Sequence, residues 1–509
     1  MDTLLNKKTE VVIFSATAIA LYGYDQGMMS LINTNHDYLD TMGISGDDPL
    51  VGIIVSVYYL GCAVGAIFAS LYADKSGRKP AIFASLALTS AGNLLSFIAG
   101  LGYSEGAMTV MFLGRIIMGL GVGGIDAVIP VYSSELNAEG GRGEALAKEF
   151  QANIFGLNMA FAINLGVTNA LGKENQWAWR TPIIAMQIYP VLLLSFIYRL
   201  PETPRWFVFH SRDDDAKGAL ADIYGEDEAK GKYDELVQAH NDESSHSVGY
   251  RDMLIPGGIQ FHPTMVTVMG QVNQALTGYG AISVYGPQIF ELLGLGVNES
   301  EYLTQGNYVS YFFLMTFAWL LIDRVGRRIL MVGGAIGLTI SFLLLTLFGG
   351  LVQNADRFRI PTMPSAIVGG VTLFIATGMF GIGWLAEVWL IPTEIFPSTS
   401  RAQGSAISVI IWGLANFAVT LLTPIGFNNL KYWLFLILAL TNLFAGWWTW
   451  AYSPETGGRS FEENQQFFED AKEQNTWLVT RVNKGAFRGM PKSEKGSNDE
   501  SQPLLGGSS

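Results

Sequence analysis

The sequence predicts an all-α membrane protein with twelve transmembrane helices arranged as two six-helix bundles. Three observations lead to this fold class: the apolar composition, twelve long apolar stretches, and a turn motif that occurs once in each half. Of the 509 residues, 50% are hydrophobic and only 15% are charged, which is more apolar than an ordinary soluble multidomain protein. The lipid bilayer is therefore the expected solvent for most of the chain.

Each apolar stretch has roughly the 17 to 25 residues that a helix needs to cross the hydrocarbon core. The predicted spans are residues 10–32, 50–73, 80–100, 108–132, 146–170, 182–200, 263–290, 304–322, 329–351, 365–391, 402–424 and 431–452. The longest polar interruption separates six spans from six. We therefore predict an N-terminal bundle (1–203), a cytoplasmic central loop with short helices (204–260), a C-terminal bundle (261–453) and a cytoplasmic tail (454–509) that is largely disordered after about residue 484.

Lys and Arg residues beside the spans predict the orientation, because cytoplasmic flanks retain positive charge. Fourteen of these basic residues lie on one set of flanks and five on the other. Both termini and the central loop are therefore predicted to be cytoplasmic, and the plasma membrane is the expected location. Asn298-Glu299-Ser300 then falls outside the cell as a candidate glycosylation site, although a three-residue match is a weak signal.

Several function classes are not supported by the composition. The net charge of −13 comes largely from the polar stretches 213–243 and 455–473, so it does not imply a nucleic-acid partner. The single cysteine, Cys62, excludes an intramolecular disulfide and a cysteine-based metal cluster. The five histidines have no metal-like spacing and no nucleophile motif is present, so we expect neither an enzyme nor a cofactor.

An internal repeat supports the division into two halves. The run Ala73-Asp74-Lys75-Ser76-Gly77-Arg78-Lys79 follows the second span, and Ile322-Asp323-Arg324-Val325-Gly326-Arg327-Arg328 follows the eighth. Glycine permits a tight turn there, and Asp and Arg at neighbouring helix ends can form charge-assisted hydrogen bonds. A second repeat places an acidic residue before an arginine in each half.

The chain resembles the sugar porters of the major facilitator superfamily from about Phe14 to Glu463. The motifs that carry this resemblance are Gly23-Tyr24-Asp25-Gln26-Gly27, the two repeated turns, Arg115 to Gly124, Pro201-Glu202-Thr203-Pro204-Arg205-Trp206 and Pro454-Glu455-Thr456-Gly457-Gly458-Arg459-Ser460. The run of Tyr, Asp, Gln and Gly is most similar to fungal hexose and glycerol symporters.

The resemblance implies a secondary active transporter that takes up a sugar or polyol with protons by alternating access between two rocking halves. The expected partners are that small molecule, protons and the lipid bilayer, and a monomer would suffice. Two alternatives remain. One is a facilitative carrier of a sugar-like or other small polar substrate, such as quinate or a metabolite. The other is a non-transporting nutrient sensor, although such sensors tend to have longer cytoplasmic extensions.

Asp25 is the predicted proton-coupling residue, because a carboxylate within a span is costly unless it is paired or takes a proton. Arg115, early in the fourth span, is its expected partner, and both match family positions associated with coupling. The alternative is a permanent buried ion pair that only holds two helices together.

Charged residues at the predicted cytoplasmic ends of the spans are expected to form a conformational latch. These residues are Asp74, Arg78, Glu135, Arg142, Glu202, Arg205, Asp323, Arg327, Glu394, Arg401, Glu455 and Arg459. The alternative is that they only anchor helix ends at the lipid headgroups.

Amides, hydroxyls and aromatic faces between the halves are expected to bind the substrate, because a sugar presents hydroxyls and flat apolar ring faces. The predicted residues are Gln274, Trp389, Trp412, Asn416, Glu387 and Gln151. Glu387 is a second acid within a span, where it could contact substrate, carry a proton or bond to a neighbouring helix. At the positions where hexose carriers have polar groups the chain has Ala275, Gly280, Tyr311, Phe150 and Ile411. The ligand is therefore expected to differ from glucose in size or hydroxylation.

Overall fold

The computed structural model describes residues 7–46, 48–102, 105–136, 142–244, 250–397 and 400–491, and these residues form helices and connecting loops without a β-strand. Twelve helical spans, numbered in chain order, form the body of the protein. They are Lys7–Ile32, Pro49–Ser76, Arg78–Ile98, Ala107–Leu136, Arg142–Leu171, Gln176–Arg199, 261–292, Val297–Val325, Arg327–Gln353, Thr362–Ile395, Arg401–Leu430 and Trp433–Tyr452. Spans 1 to 6 are called the first half, and spans 7 to 12 the second half.

Ten of these spans are long and apolar enough to cross a membrane by length and composition. The other two are span 1, which contains Asp25, and span 7, which is divided into the helices Phe261–Leu276, Tyr279–Val284 and Gly286–Leu292. Two further spans are interrupted. Span 6 consists of Gln176–Met186, Ile188–Phe196 and the 3₁₀ turn Ile197–Arg199, and span 10 consists of Thr362–Gly383 and Glu387–Ile395.

Shorter helices connect the spans. They are His36–Met42 after span 1, then Pro204–Phe209, Asp213–Tyr224, Glu226–Ser244 and Tyr250–Leu254 between the halves, Ala355–Phe358 after span 9, and Phe461–Glu473 with the 3₁₀ turn Val482–Gly485 after span 12. Four of these short helices lie in the segment between the halves. We call the side where span 1 begins and spans 6 and 12 end the terminal face, and the other side the opposite face.

Most spans extend a few residues beyond the predicted apolar stretches, because a helix continues through its polar ends after the apolar run has stopped. The tail also stays packed beyond residue 484. The backbone N–H of Glu455 donates to the carbonyl of Phe487 (2.9 Å), and the Phe487 side chain is buried. The packed part of the tail therefore reaches at least Phe487.

Glycines hold helices of the same half in close contact. A Cβ atom at Gly23 of span 1 would lie 1.9 Å from the carbonyl oxygen of Asn153 in span 5, and one at Gly119 of span 4 would lie 2.2 Å from that of Tyr58 in span 2. Only glycine permits this backbone separation, which is the packing expected of small residues between membrane helices. The two halves then meet along spans 2 and 11 and along spans 5 and 8.

Candidate functional site

A small cavity lies between the two halves. Its lining consists of Tyr22 and Gln26 from the first half and Gln274, Tyr279, Gly280, Phe380, Leu385, Trp389, Trp412 and Asn416 from the second. The part of the cavity that water can reach has a volume of about 20 Å³, which is room for little more than one water molecule. The conformation is therefore closed around its centre, and a molecule as large as a sugar would have to push the lining side chains apart.

Interruptions in spans 7 and 10 bring backbone and polar side chains to the cavity. Gly278, at a φ of 83°, separates two helices of span 7 in a left-handed conformation that glycine adopts easily. In span 10 the helix stops at Gly383 and resumes at Glu387. Gln274 Nε2 donates to the carbonyl oxygens of Trp384 (2.8 Å) and Leu385 (3.3 Å), which the interruption leaves without helical partners. Gln274 thus joins the two interrupted spans at the cavity wall.

Aromatic rings form much of the cavity wall. Trp412 makes edge contacts with Tyr22 and Tyr59 of the first half, each at a centroid distance of 5.3 Å. Its ring also lies 5.9 Å from that of Trp389, whereas Tyr279 stacks on Phe380 at 4.1 Å. Trp412 therefore connects the two halves, and the rings offer the flat apolar surfaces that suit one face of a sugar ring.

The amides around these rings have unequal numbers of partners. Asn416 Nδ2 donates to the Trp412 carbonyl one turn earlier (2.9 Å). Gln26 Nε2 donates to the Tyr22 hydroxyl (2.7 Å), and its Oε1 has no hydrogen-bond partner among the described residues. The wall therefore offers amide and hydroxyl groups to a ligand, which is the chemistry that binds uncharged hydroxyl groups.

Asp25 and Arg115 form a buried ion pair between spans 1 and 4. Both side chains are 2% exposed, and Arg115 Nη1 donates to Asp25 Oδ1. The Arg115 guanidinium also lies over the Tyr58 ring, 4.7 Å from its centroid. Asp25 of the ion pair and Gln26 of the cavity wall are adjacent residues of span 1.

The charged residues at the terminal face form one cluster in each half. Arg78 contacts Asp74 (3.3 Å) and Glu135 (3.1 Å). In the second half Arg327 contacts its own pair of acids, Asp323 and Glu394, at 2.7 Å each. The sequence repeat is therefore also a repeat of the geometry.

Two further acids bond to the backbone at the starts of spans 3 and 9. Glu202 accepts from the N–H of Lys79 (2.9 Å), and Glu455 accepts from those of Arg327 (2.9 Å) and Arg328 (3.1 Å). Burial raises the pKa of both carboxyl groups, and the hydrogen bonds from backbone N–H groups oppose this rise. These acids hold helix ends inside their own half.

Two acids of the clusters reach across to the other half. Asp323 Oδ2 accepts from the backbone N–H of Glu144 at the start of span 5 (2.9 Å). Asp74 Oδ2 accepts from Gln403 Nε2 at the start of span 11 (3.3 Å). Both contacts join the two halves at the terminal face.

The remaining predicted latch residues are placed differently. Arg459 donates to the carbonyls of Ala486 (2.9 Å) and Gly489 (3.0 Å) in the tail. Arg205 lies 5.9 Å from the ring of Phe209. Arg401 begins span 11. The side chain of Arg142 lies outside the described part of the chain.

The opposite face is closed by a separate set of contacts. Lys173 Nζ of the first half lies 2.5 Å from Glu301 Oε1 of span 8. Deeper in, the ring of Phe161 makes an edge contact with Tyr308 (5.3 Å), whose hydroxyl lies 3.4 Å from Ser30 Oγ. Asn298, the candidate glycosylation residue, is exposed on this face in the first turn of span 8.

Two predicted substrate residues do not line the cavity. Gln151 Nε2 donates to the Phe312 carbonyl (3.0 Å) and Thr316 Oγ1 (3.1 Å), and its Oε1 accepts from Trp319 Nε1 (3.0 Å). All three partners belong to span 8, so Gln151 joins the halves instead of facing the cavity. Glu387 is fully buried and is not among the residues that line the cavity.

Two further buried acids were missed in the sequence. Glu149 Oε1 accepts from Ser133 Oγ (2.6 Å). Asp126 is 3% exposed in span 4, and neither of its carboxylate oxygens has a hydrogen-bond partner among the described residues. The signal that identified Asp25, an acid within an apolar stretch, was also present at Asp126. The described residues contain no group of acids, histidines and cysteines arranged to hold a metal ion.

Known proteins with similar sequences and folds are transporters. Residues 11–468 match the family model of the sugar (and other) transporters. The chain is 30% identical to the MFS-type transporter oryC of Aspergillus oryzae, covering 90% of this chain and 85% of that protein. It is also 30% identical to the sugar transporter STL1 of Saccharomyces cerevisiae, covering 92% and 83%.

The fold matches solved structures of the same kind. The proton:xylose symporter XylE, bound to 6-bromo-6-deoxy-D-glucose, superimposes with a TM-score of 0.77 at 23% identity, covering 91% of this chain and 99% of that one. A partially occluded inward-open structure of XylE from E. coli gives a TM-score of 0.74 at 22% identity, covering 89% and 99%. These matches show the twelve-helix major facilitator fold.

Proposed function

We propose that this protein takes up a neutral sugar or polyol together with protons. The chain belongs to the sugar (and other) transporter family. It is a multi-pass membrane transporter, not an enzyme. The observation that carries this proposal is the proximity of two features. An uncharged cavity of amides, hydroxyls and aromatic rings lies next to the buried Asp25–Arg115 ion pair. Span 1 contributes residues to both. The relatives named as a sugar transporter and as a D-xylose-proton symporter support the same class of substrate and coupling.

The lining favours an uncharged substrate. None of its ten residues carries a charge, so an acid such as quinate would enter without a basic partner and an amine without an acidic one. Leaving a charge unpaired in a buried site is costly. Hydroxyl groups, in contrast, can exchange hydrogen bonds with Gln26, Gln274 and Asn416 while a ring face packs on Trp412 or Trp389.

The proposed coupling step is protonation of Asp25. A proton on its carboxylate removes the charge that holds Arg115, so the ion pair weakens and span 1 is released from span 4. Because Gln26 moves with span 1, the same step changes the cavity wall. Binding of substrate and binding of a proton would therefore favour the same rearrangement.

The proposed orientation places the terminal face in the cytoplasm of a cell with this carrier in its plasma membrane. Basic residues beside the spans are concentrated at that face. The two cross-half contacts of Asp74 and Asp323 would then latch the cytoplasmic side, and the ion pair of Lys173 with Glu301 would close the external side. Asn298 would lie outside, where it could receive a glycan.

The test is uptake by the purified chain in proteoliposomes. Labelled neutral sugars and polyols are screened with an imposed pH gradient, with and without a protonophore, and substrate counterflow at equal pH is measured in parallel. We expect accumulation that the protonophore abolishes. Equilibration without accumulation would replace symport by facilitated transport, and accumulation that ignores the gradient would exclude protons as the coupling ion.

Variants then assign the coupling residue. Asp25→Asn and the double variant Asp25→Asn/Arg115→Gln should keep counterflow and lose accumulation, because no proton can bind at position 25. Asp356→Asn, which removes an exposed acid at the opposite face, is the matched control and should behave as the unchanged protein. If the Asp25 variants still accumulate substrate, the ion pair is only a structural contact.

A further inference from the structure

Asp126 stands apart from the other acids of the first half. Asp25 is paired with Arg115, and Glu149 accepts a hydrogen bond from Ser133. Asp126 is equally buried, yet neither of its oxygens has a partner among the described residues. An unpaired carboxylate at the depth of a bilayer is unfavourable. In this closed conformation Asp126 is therefore expected to hold a proton.

The position of Asp126 relates it to the coupling pair. It follows Arg115 by eleven residues, which is about three helical turns, so both residues lie on the same side of span 4. The rise over eleven residues is about 16 Å, and it is directed toward the terminal face. Asp126 is therefore displaced from the ion pair in the direction in which an imported proton has to leave.

Polar groups of span 2 lie between the two acids. Tyr58 lies beneath the Arg115 guanidinium, and Cys62 follows one turn later. A Cβ atom at Gly123 would lie 2.0 Å from the Cys62 carbonyl oxygen, so Cys62 packs on span 4 three residues before Asp126. Asp126 interacts electrostatically with the Cys62 and Tyr58 side chains.

The other surroundings of Asp126 contain few titratable groups. Tyr22 of span 1 interacts with it electrostatically, and span 3 presents the Ser85 hydroxyl beside Gly124. From span 11, Ser405 Oγ donates to the Ala127 carbonyl (3.4 Å). No basic side chain of the described residues forms an ion pair with Asp126. The titratable neighbours are thus Tyr22, Tyr58 and Cys62, all of them neutral near pH 7 in water.

We propose that Asp126 is a second proton-carrying residue, which receives the proton released by Asp25 and delivers it to the terminal face. Asp126 first loses its own proton to the solvent when the terminal face opens. The proton then passes from Asp25 to Asp126 by a relay. The Asp25 carboxyl group gives its proton to the Tyr58 hydroxyl, which passes its own proton to the Cys62 thiol, and the thiol in turn protonates the Asp126 carboxylate. Asp25 returns to Arg115 as a carboxylate. One proton enters and one leaves per cycle. This inference rests on the proposed proton coupling.

The experiment uses the full chain in proteoliposomes and compares Asp126→Asn with Glu149→Gln. Both substitutions neutralise a buried acid of the first half, but only Glu149 has a hydroxyl partner. For each protein we measure counterflow at equal pH, accumulation driven by a pH gradient, and the dependence of counterflow on the pH at the terminal face.

The expected result is specific to Asp126→Asn. It keeps counterflow within about twofold, loses at least tenfold in gradient-driven accumulation, and no longer responds to pH at the terminal face. Glu149→Gln keeps all three properties, and Asp126→Glu restores accumulation because it again offers a carboxylate. A purely structural role would lower counterflow and accumulation together.

Two outcomes overturn the inference. One is Asp126→Asn with undiminished accumulation and an unchanged pH response. The other is an equal loss in Asp126→Asn and Glu149→Gln. If Asp126→Asn does not fold, failure of Asp126→Glu to accumulate substrate also overturns it. The unchanged protein tests proton coupling itself, so failure of the proposed function is recognised separately by its lack of gradient-driven accumulation.

Discussion

In the first half Arg78 binds two carboxylates at the terminal face, and in the second half Arg327 binds two carboxylates in the same arrangement. The interiors of the halves are different. The first half supplies two of the ten residues of the cavity wall and contains the Asp25–Arg115 ion pair, whereas the second half supplies eight and has no ion pair in its described interior. The two halves thus share the charged clusters at the terminal face, whereas the buried ion pair lies in the first half and most of the cavity wall lies in the second.

Span 1 contains both Asp25 of the ion pair and the two first-half residues of the cavity wall, so it is the element that links the two kinds of site. Substrate would bind mainly to the second half, and the proton would bind to the first. Gln26 and Tyr22 are the places where the first half touches the cavity. If the division holds, substitutions in the first half should alter coupling, and substitutions in the second half should alter affinity.

The largest expected effect comes from breaking the buried ion pair of the first half. Removing one partner of such a pair typically costs about 3–5 kcal/mol. Asp25→Asn should destabilise the protein more than Arg115→Gln, because an isolated arginine stays charged whereas an isolated aspartate can take a proton. The measurement is the thermal unfolding midpoint in detergent.

The double variant sharpens this test. Asp25→Asn/Arg115→Gln leaves no buried charge at the site and should recover most of the lost stability without recovering proton-driven accumulation. A double variant less stable than both single variants would contradict the ion-pair explanation. Asp356→Asn serves again as the exposed control.

A smaller effect is expected from Gln274→Ala in the second half. The substitution leaves the carbonyls of Trp384 and Leu385 without their side-chain donor, and such a loss costs about 1–3 kcal/mol. Substrate KM should rise about tenfold, which corresponds to about 1.4 kcal/mol, while the ratio of protons to substrate stays the same.

Gln353→Ala, an exposed amide at the opposite face, is the control for this change and should leave KM unaltered. A changed proton-to-substrate ratio in Gln274→Ala would show that the second half takes part in coupling. The division between the halves would then fail.

The smallest effect is expected at the opposite face. Glu301→Gln removes the ion pair with Lys173, whose side chain is 23% exposed, so its contribution is on the order of 1 kcal/mol or less. A cysteine introduced as Ser30→Cys lies beneath this closure and should react with a thiol reagent two- to fivefold faster in the Glu301→Gln background.

Glu235→Gln, which removes an exposed ion pair of the central loop, should not change the labelling rate. Cys62 is buried and contributes little background. An unchanged rate in Glu301→Gln would mean that the Tyr308 and Phe161 contact alone closes this face.

The fold followed from the sequence because its signals are local. Span length depends on the thickness of the bilayer, and the repeated turns depend on glycine and on charges a few residues apart. The predicted family and the twelve-span fold are confirmed. Gln274, Trp389, Trp412 and Asn416 line the cavity, and their roles in binding stay predictions.

Two predicted substrate residues, Glu387 and Gln151, do not line the cavity, because the sequence does not show which side of a helix faces inward. Glu387 and Trp389 lie two residues apart in the second helix of span 10, which turns their side chains by about 200° relative to each other, and only Trp389 lines the cavity. Gln151 lies one residue from Phe150, which packs on Trp389 at 5.7 Å. A difference of one residue turns a helical side chain by about 100°, which the span boundaries alone do not resolve.

The narrowness of the central cavity bears on what the carrier keeps out. The cavity between the halves has about 20 Å³ that water can reach, and contacts between the halves lie on both sides of it. An ion would have to shed most of its water to enter this space, which is costly, so the closed conformation is expected to resist ion leakage.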